Sequence, residues 1–113
     1  MKRVVLLTTV ALAFSVHSAP VAISACPTTF ESLPLPEGAT LCREFSPSAE
    51  QTGRSLSFYV PMSPQSTVEY FQRHSLRIHS SVNQHTLMMA QQDDLRVAIS
   101  TDRQGSQIDI LVL

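Results

Sequence analysis

His74, His79 and His85 are the residues best suited to chemistry in this chain. Three imidazoles would bind Zn²⁺ or copper if they converged. Their spacing places no two of them on one face of a helix, and they flank a strand whose register the sequence leaves open. Ser75 and Ser80 stand beside His74 and His79 and offer a hydroxyl nucleophile, yet nothing resembles a nucleophile elbow or a triad signature. Asp93-Asp94, with Asp102 one hairpin away, supplies carboxylates for Ca²⁺. That stretch lacks the alternating acidic ligands of a calcium loop, and Arg96 and Arg103 beside it favour a solvated turn. Gly38, Gly53 and Gly105 are too dispersed to cradle a phosphate. There is no Trp, and Phe45, Phe58 and Phe71 are expected in the core rather than as stacking platforms. Met88 and Met89 face opposite ways on a strand, so one of them belongs to the core. The expectation is a protein with no catalytic residues, no cofactor and no metal, in which the three histidines are surface polar residues near loop ends and would be the ligands only if a metal site existed.

Cys26 and Cys42 are the two cysteines. Met1-Lys2-Arg3 is a basic start, Val4 to Val16 is an uncharged apolar run, and small residues follow His17-Ser18. This order is that of an export signal, which places residues 1–25 outside the fold. Val16-His17-Ser18 and Ile23-Ser24-Ala25 both offer small residues for cleavage. A retained membrane anchor is the rival reading, because the charge-free stretch is long enough to span a bilayer. Two fates for the cysteines follow. An even count in an exported chain reads as a disulfide, Cys26 with Cys42. Alternatively, Ile23-Ser24-Ala25-Cys26 resembles the lipobox of bacterial lipoproteins over residues 23–26, which implies lipid on Cys26 and leaves Cys42 a buried thiol.

The 113 residues suffice for one domain, and 43% apolar content excludes a disordered chain. Eight basic residues against nine acidic ones exclude the basic footprint of a nucleic-acid binder. Without residues 1–25, six Arg and no Lys face the nine acids, a charge of −3.

All seven prolines lie at or before Pro64. Residues 26–38 are therefore expected as an extended, Pro-rich lead-in, because each Pro biases its predecessor away from helix. A single α+β domain is expected over 39–113. Ala39 to Phe45 reads as a first strand and Ser46 to Gly53 as a polar loop. Leu56, Phe58 and Val60 alternate as one face of a second strand. Ser63-Pro64 supplies an N-cap and a first-turn Pro for a helix over about 63–74, with Thr67, Val68, Tyr70 and Phe71 inward. Leu76 to Val82, Thr86 to Gln91, Leu95 to Thr101 and Gln107 to Leu113 read as strands, the last three forming an antiparallel meander across short polar connections. One helix on a mainly antiparallel sheet is an α+β two-layer sandwich.

Leu35-Pro36-Glu37-Gly38-Ala39 opening the first strand, and Phe58-Tyr59-Val60 leading to a Ser-capped helix with Tyr70-Phe71, are similar to small exported bacterial domains of unassigned function. The resemblance is one of architecture over 33–113, and it implies a fold rather than a chemistry. The functional expectation is a non-enzymatic binding, accessory or inhibitor module, located in the periplasm or envelope or secreted. Its partner would be an envelope protein or ligand, and it would meet membrane only through a lipid or a retained signal. A metal-binding or hydrolytic protein using His74, His79 or His85 is the alternative, and a structural lipoprotein held through Cys26 is a third. The expected contact surface is a strand edge that accepts another chain, with the strand ending at Leu113 the candidate if it lies at an edge.

Overall fold

Period-two alternation in the second half of the chain becomes a meander of long strands. A computed structural model describes residues 21–22, 25–45, 53–91 and 94–113. In chain order the elements are β1 (Val21–Ala22), β2 (Thr29–Phe30), β3 (Leu33–Pro34), β4 (Thr40–Phe45), β5 (Arg54–Val60), α1 (Pro64–Gln72), β6 (Leu76–Val82), β7 (His85–Ala90), β8 (Leu95–Asp102) and β9 (Gly105–Val112). The main sheet has the order β1-β4-β5-β9-β8-β7-β6, while β2 and β3 form a separate hairpin. Every pairing is antiparallel. The chain is thus α+β, with one helix and a predominance of sheet among the described residues. Most of the expected export signal, the first residues of the lipobox-like stretch, much of the 46–53 loop and Asp93 lie outside the described residues. Val21 and Ala22, however, within the segment expected outside the fold, pair with Glu44 and Arg43 of β4 as the two-residue β1. Among those described, no helix is long and apolar enough to cross a membrane.

The core follows from strand parity. Leu56, Phe58 and Val60 of β5 share a face with Ile108 and Ile110 of β9, Val97 and Ile99 of β8, and Met88 of β7. All eight are buried. Removing each from water stabilises the fold by about 1.5–3 kcal/mol, an upper figure because the unfolded chain is already partly compact. Met88 takes the core place expected for one of the adjacent methionines, and Met89 is half-buried on the opposite face.

Helix α1 begins where the sequence says it should. The Ser63 hydroxyl accepts the Ser66 backbone N–H at 3.1 Å, and Pro64 occupies the first turn. Thr67 and Phe71 are buried, and Val68 and Tyr70 are half-buried. Thr67 donates its hydroxyl to the Ser63 carbonyl, and the buried Ser106 hydroxyl donates to the Met62 carbonyl at 2.7 Å. Both buried hydroxyls are therefore satisfied. The helix stops at Gln72, short of the expected His74, and Ser75 turns the chain with a φ of +73° where glycine is usual.

A nine-residue helix is only about 14 Å long and 10–12 Å wide. Six strands side by side span about 24 Å. Helix α1 contacts β6, β8 and β9, so β4 and β5 need another cover. The lead-in supplies it. Residues 26–38 are not merely extended: Glu31 and Ser32 adopt left-handed conformations and fold β2 against β3. This brings Phe30, Leu33 and Leu35 into the same buried cluster as Phe58 and Phe71. Cys26 is bonded to Cys42 on β4, with Cα atoms 5.4 Å apart. Arg54 reaches back from β5, donating to Glu44 at 3.0 Å and to Glu31, with its guanidinium 4.7 Å from the Phe30 ring centre. The Glu44 hydrogen bond foremost, outweighing partial burial, holds the Arg54 pKa above its usual value. Tyr70 donates its hydroxyl to the Pro34 carbonyl at 3.0 Å and ties helix to hairpin.

Three further expectations need correction. The C-terminal strand is not an edge: β9 lies between β5 and β8, and both its sides are hydrogen-bonded. It therefore cannot accept another chain, and β6 is an edge strand instead. Phe45 is not in the core. It pairs with Ser55, on the face opposite Leu56, and is 38% exposed, while Phe30 fills the core in its stead. The connection expected over Asp102 to Ser106 tightens to Arg103-Gln104, because Asp102 pairs with Gly105.

Two measurements check this account. Replacing both cysteines by Ser releases a cross-link closing 16 residues and is expected to cost about 3 kcal/mol in urea denaturation. Tyr70→Phe loses the bond to Pro34 and is expected to cost about 1 kcal/mol. Burial raises the Tyr70 pKa above 10.0, partly offset by Arg73. The neutral phenol's contribution is thus complete below pH 10 and disappears as pH climbs through the folded value, so the difference between Tyr70→Phe and the parent should shrink in strong alkali.

Candidate functional site

The three histidines go to different places. His74 follows α1 and packs against the Tyr70 ring, centroids 4.6 Å apart. His79 is exposed at an irregularity in β6, between Ile78 and Ser80. His85 lies on the face of the sheet away from the helix, in register with Val82 and Ser100. The sheet thus separates His74 from His85. No three His, Cys, Asp or Glu side chains among the described residues come together as a metal site. Asp94 is exposed, and Asp102 pairs with its neighbour Arg103 at 3.5 Å.

A small cleft of about 210 Å³ opens on the helix side between the β2–β3 hairpin and the start of β6. Glu31, Ser32, His74 and Ser75 contribute to its lining. Among the hydrogen bonds of the described residues, none joins His74 to a serine there, and Glu31 is taken by Arg54. Ser80 is exposed on the edge strand β6. Among the described residues, no serine or threonine hydroxyl is hydrogen-bonded to a histidine or carboxylate, the pairing by which a base activates a hydroxyl nucleophile.

Most of the remaining possibilities lie on the sheet face that no described element covers. Side chains there run in register across six strands. One row is Thr40, Tyr59, Gln107, Ser100, His85 and Val82. A parallel row holds Phe45, Ser55, Leu111, Arg96, Met89 and Arg77. Apolar groups alternate with cations and hydroxyls, and Phe45, Leu111 and Val82 are exposed.

At one end this face deepens into a cleft of about 730 Å³ lined by Thr40, Leu41, Tyr59, Arg103 and Gln104. Two backbone irregularities build it. In β4, Leu41 and Cys42 together oppose one residue of β5, a bulge that leaves Leu41 at φ +59°. Cys42 is buried and disulfide-bonded, while Leu41 is 69% exposed in the cleft. In the β8–β9 turn, Arg103 stands at φ +57° with its side chain in solvent. The Tyr59 ring lies across Gly105, where a Cβ would fall 2.4 Å from the phenol oxygen and 2.2 Å from the Val60 carbonyl. A side chain at 105 would displace Tyr59 from the cleft.

These residues escaped the sequence reading. Leu41 was hidden inside an apolar strand pattern, and Arg103 and Gln104 read as ordinary turn residues. Two signals were present: Leu41-Cys42, two apolar neighbours that break strand alternation, and a glycine beginning a strand rather than ending a loop. Gly105→Ala is expected to destabilise the fold by about 1–3 kcal/mol through overpacking, read as a lowered urea midpoint, and to shift the Tyr59 ring resonances. No protein-family model, curated protein or solved structure matches the chain.

Proposed function

We propose that this chain is exported, loses its first segment, and acts as a small non-enzymatic binding module in an oxidising compartment such as a bacterial periplasm or envelope. The observation that carries this reading is the sheet face that no described element covers, where exposed apolar side chains lead into the cleft at Leu41 and Tyr59. An apolar side chain held in water on left-handed backbone costs stability, and such costs collect at functional sites. The Cys26–Cys42 disulfide suits an oxidising compartment, and the basic start followed by an apolar run suits export. In this reading the fold is a two-layer sandwich, with α1 and the β2–β3 hairpin as one layer and the sheet as the other.

The competing readings draw less support. A metal-binding role needs His74, His79 and His85 to converge, and His74 and His85 lie on opposite sides of the sheet, while a hydrolytic role has no hydroxyl hydrogen-bonded to any of the three among the described residues. A lipoprotein tethered through Cys26 needs the sulfur that Cys42 already holds.

Intact mass of the protein isolated from its native fraction tests the reading. The expected product begins after Ser18 or after Ala25, carries no lipid, and is lighter by two hydrogens than its reduced form. Full-length, reduced chain in the cytosol would overturn export, and acyl mass on Cys26 would restore the lipoprotein.

A further inference from the structure

We infer that the cleft at the end of the open face binds an amphipathic anion, a ligand with one acidic head group on an apolar body. This rests on the binding-module reading and names its ligand class. Leu41 and the Tyr59 ring provide an apolar surface, while Thr40 and Gln104 offer a hydroxyl and an amide at its margins. The volume, about 730 Å³, falls in the range of small-molecule sites.

The charge at the rim comes from Arg103. A two-residue hairpin turn favours Asn or Gly at left-handed positions, and here a long cation occupies one at φ +57°. Its partner is Asp102, which the Nε atom approaches at 3.5 Å. An exposed pair of that length holds the guanidinium weakly. The two terminal nitrogens have no partner among the described residues, and they present the planar fork that takes a carboxylate in two parallel hydrogen bonds. Left-handed backbone at both Leu41 and Arg103 borders one cleft, so an apolar residue and a cationic one line the same site. A neutral ligand would use only half of that arrangement.

Two sources share this chemistry: a free apolar acid, and the C-terminal carboxylate of a peptide ending in an apolar residue. Amide shifts of ¹⁵N-labelled protein, processed and oxidised as the cell makes it, distinguish them with decanoate, N-acetylphenylalanine and N-acetylphenylalanine amide as probes. One of the two acids is expected to shift the amides of Leu41, Tyr59, Arg103 and Gln104. Arg103→Gln should weaken that acid about tenfold or more, as loss of a charged hydrogen bond does, and change the neutral amide far less. Leu41→Ser should weaken all probes that bind. Both positions are solvent-exposed, so unchanged thermal unfolding confirms that each variant is folded. Decanoate alone would assign a free acid, and the phenylalanine derivative alone a chain terminus. If the neutral amide binds as well as its acid, or Arg103→Gln leaves acid binding unchanged, the anion is wrong while a binding module stands. If no probe moves a cleft amide, the inference falls, whereas export and disulfide formation are judged separately by mass.

Discussion

The clasp between the front of the chain and β4 is the constraint on which the fold depends. A sheet of this width exposes an apolar face that one short helix cannot cover. The missing cover is the β2–β3 hairpin, a few residues with too little internal bonding to persist alone. Cys26–Cys42 fixes its near end, Arg54 grips Glu31 and stacks on Phe30, and Tyr70 links Pro34 to the helix. These tethers differ in kind. The covalent bond acts chiefly on the unfolded ensemble, whereas the exposed ion pairs add little energy and serve to set orientation. Together they let a small chain close a core that its helix leaves half open.

Placing β9 in the middle of the sheet has consequences for recognition. Its neighbours β5 and β8 consume its backbone groups, so β9 is locked into the interior of the sheet. Among the described residues, the face away from α1 carries no second layer, and the sheet's margins are β6 on one side and the two-residue β1 beside β4 on the other. Along β6 only Leu76 is buried, and the irregularity at His79 interrupts its regular register. Bulged edges resist indiscriminate strand addition, so under the proposed binding-module reading the face and its cleft are the more selective surface. The charges there are mixed, with Arg77 and Arg96 in one row and Asp109 in the neighbouring one.

The cleft itself arises from local departures from regular strand geometry. The bulge in β4 separates two adjacent apolar residues by function: Cys42 turns in to the disulfide, and Leu41 turns out to solvent. Gly105 permits Tyr59 to lie close over β9. These features are linked, because Tyr59 pairs with Thr40 on one side and Gln107 on the other. A disturbance at either strand would therefore reach the cleft.

Much of the fold was legible from residue order. Leu56-Phe58-Val60, Leu95-Val97-Ile99 and Ile108-Ile110 announce strands because strand burial has a period of two. Ser63-Pro64 announces a helix because capping is local chemistry. The pairing of Cys26 with Cys42 was one of two readings open to the residues alone. Tertiary structure decided the rest: that the final strand sits centrally, that Phe30 replaces Phe45 in the core, that His74 and His85 lie on opposite sides of the sheet, and that Leu41 and Arg103 meet at one cleft. Each depends on which strands become neighbours, and neighbour choice is set by contacts between residues far apart in sequence. Periodicity and capping act within a few residues and carry no information about that choice.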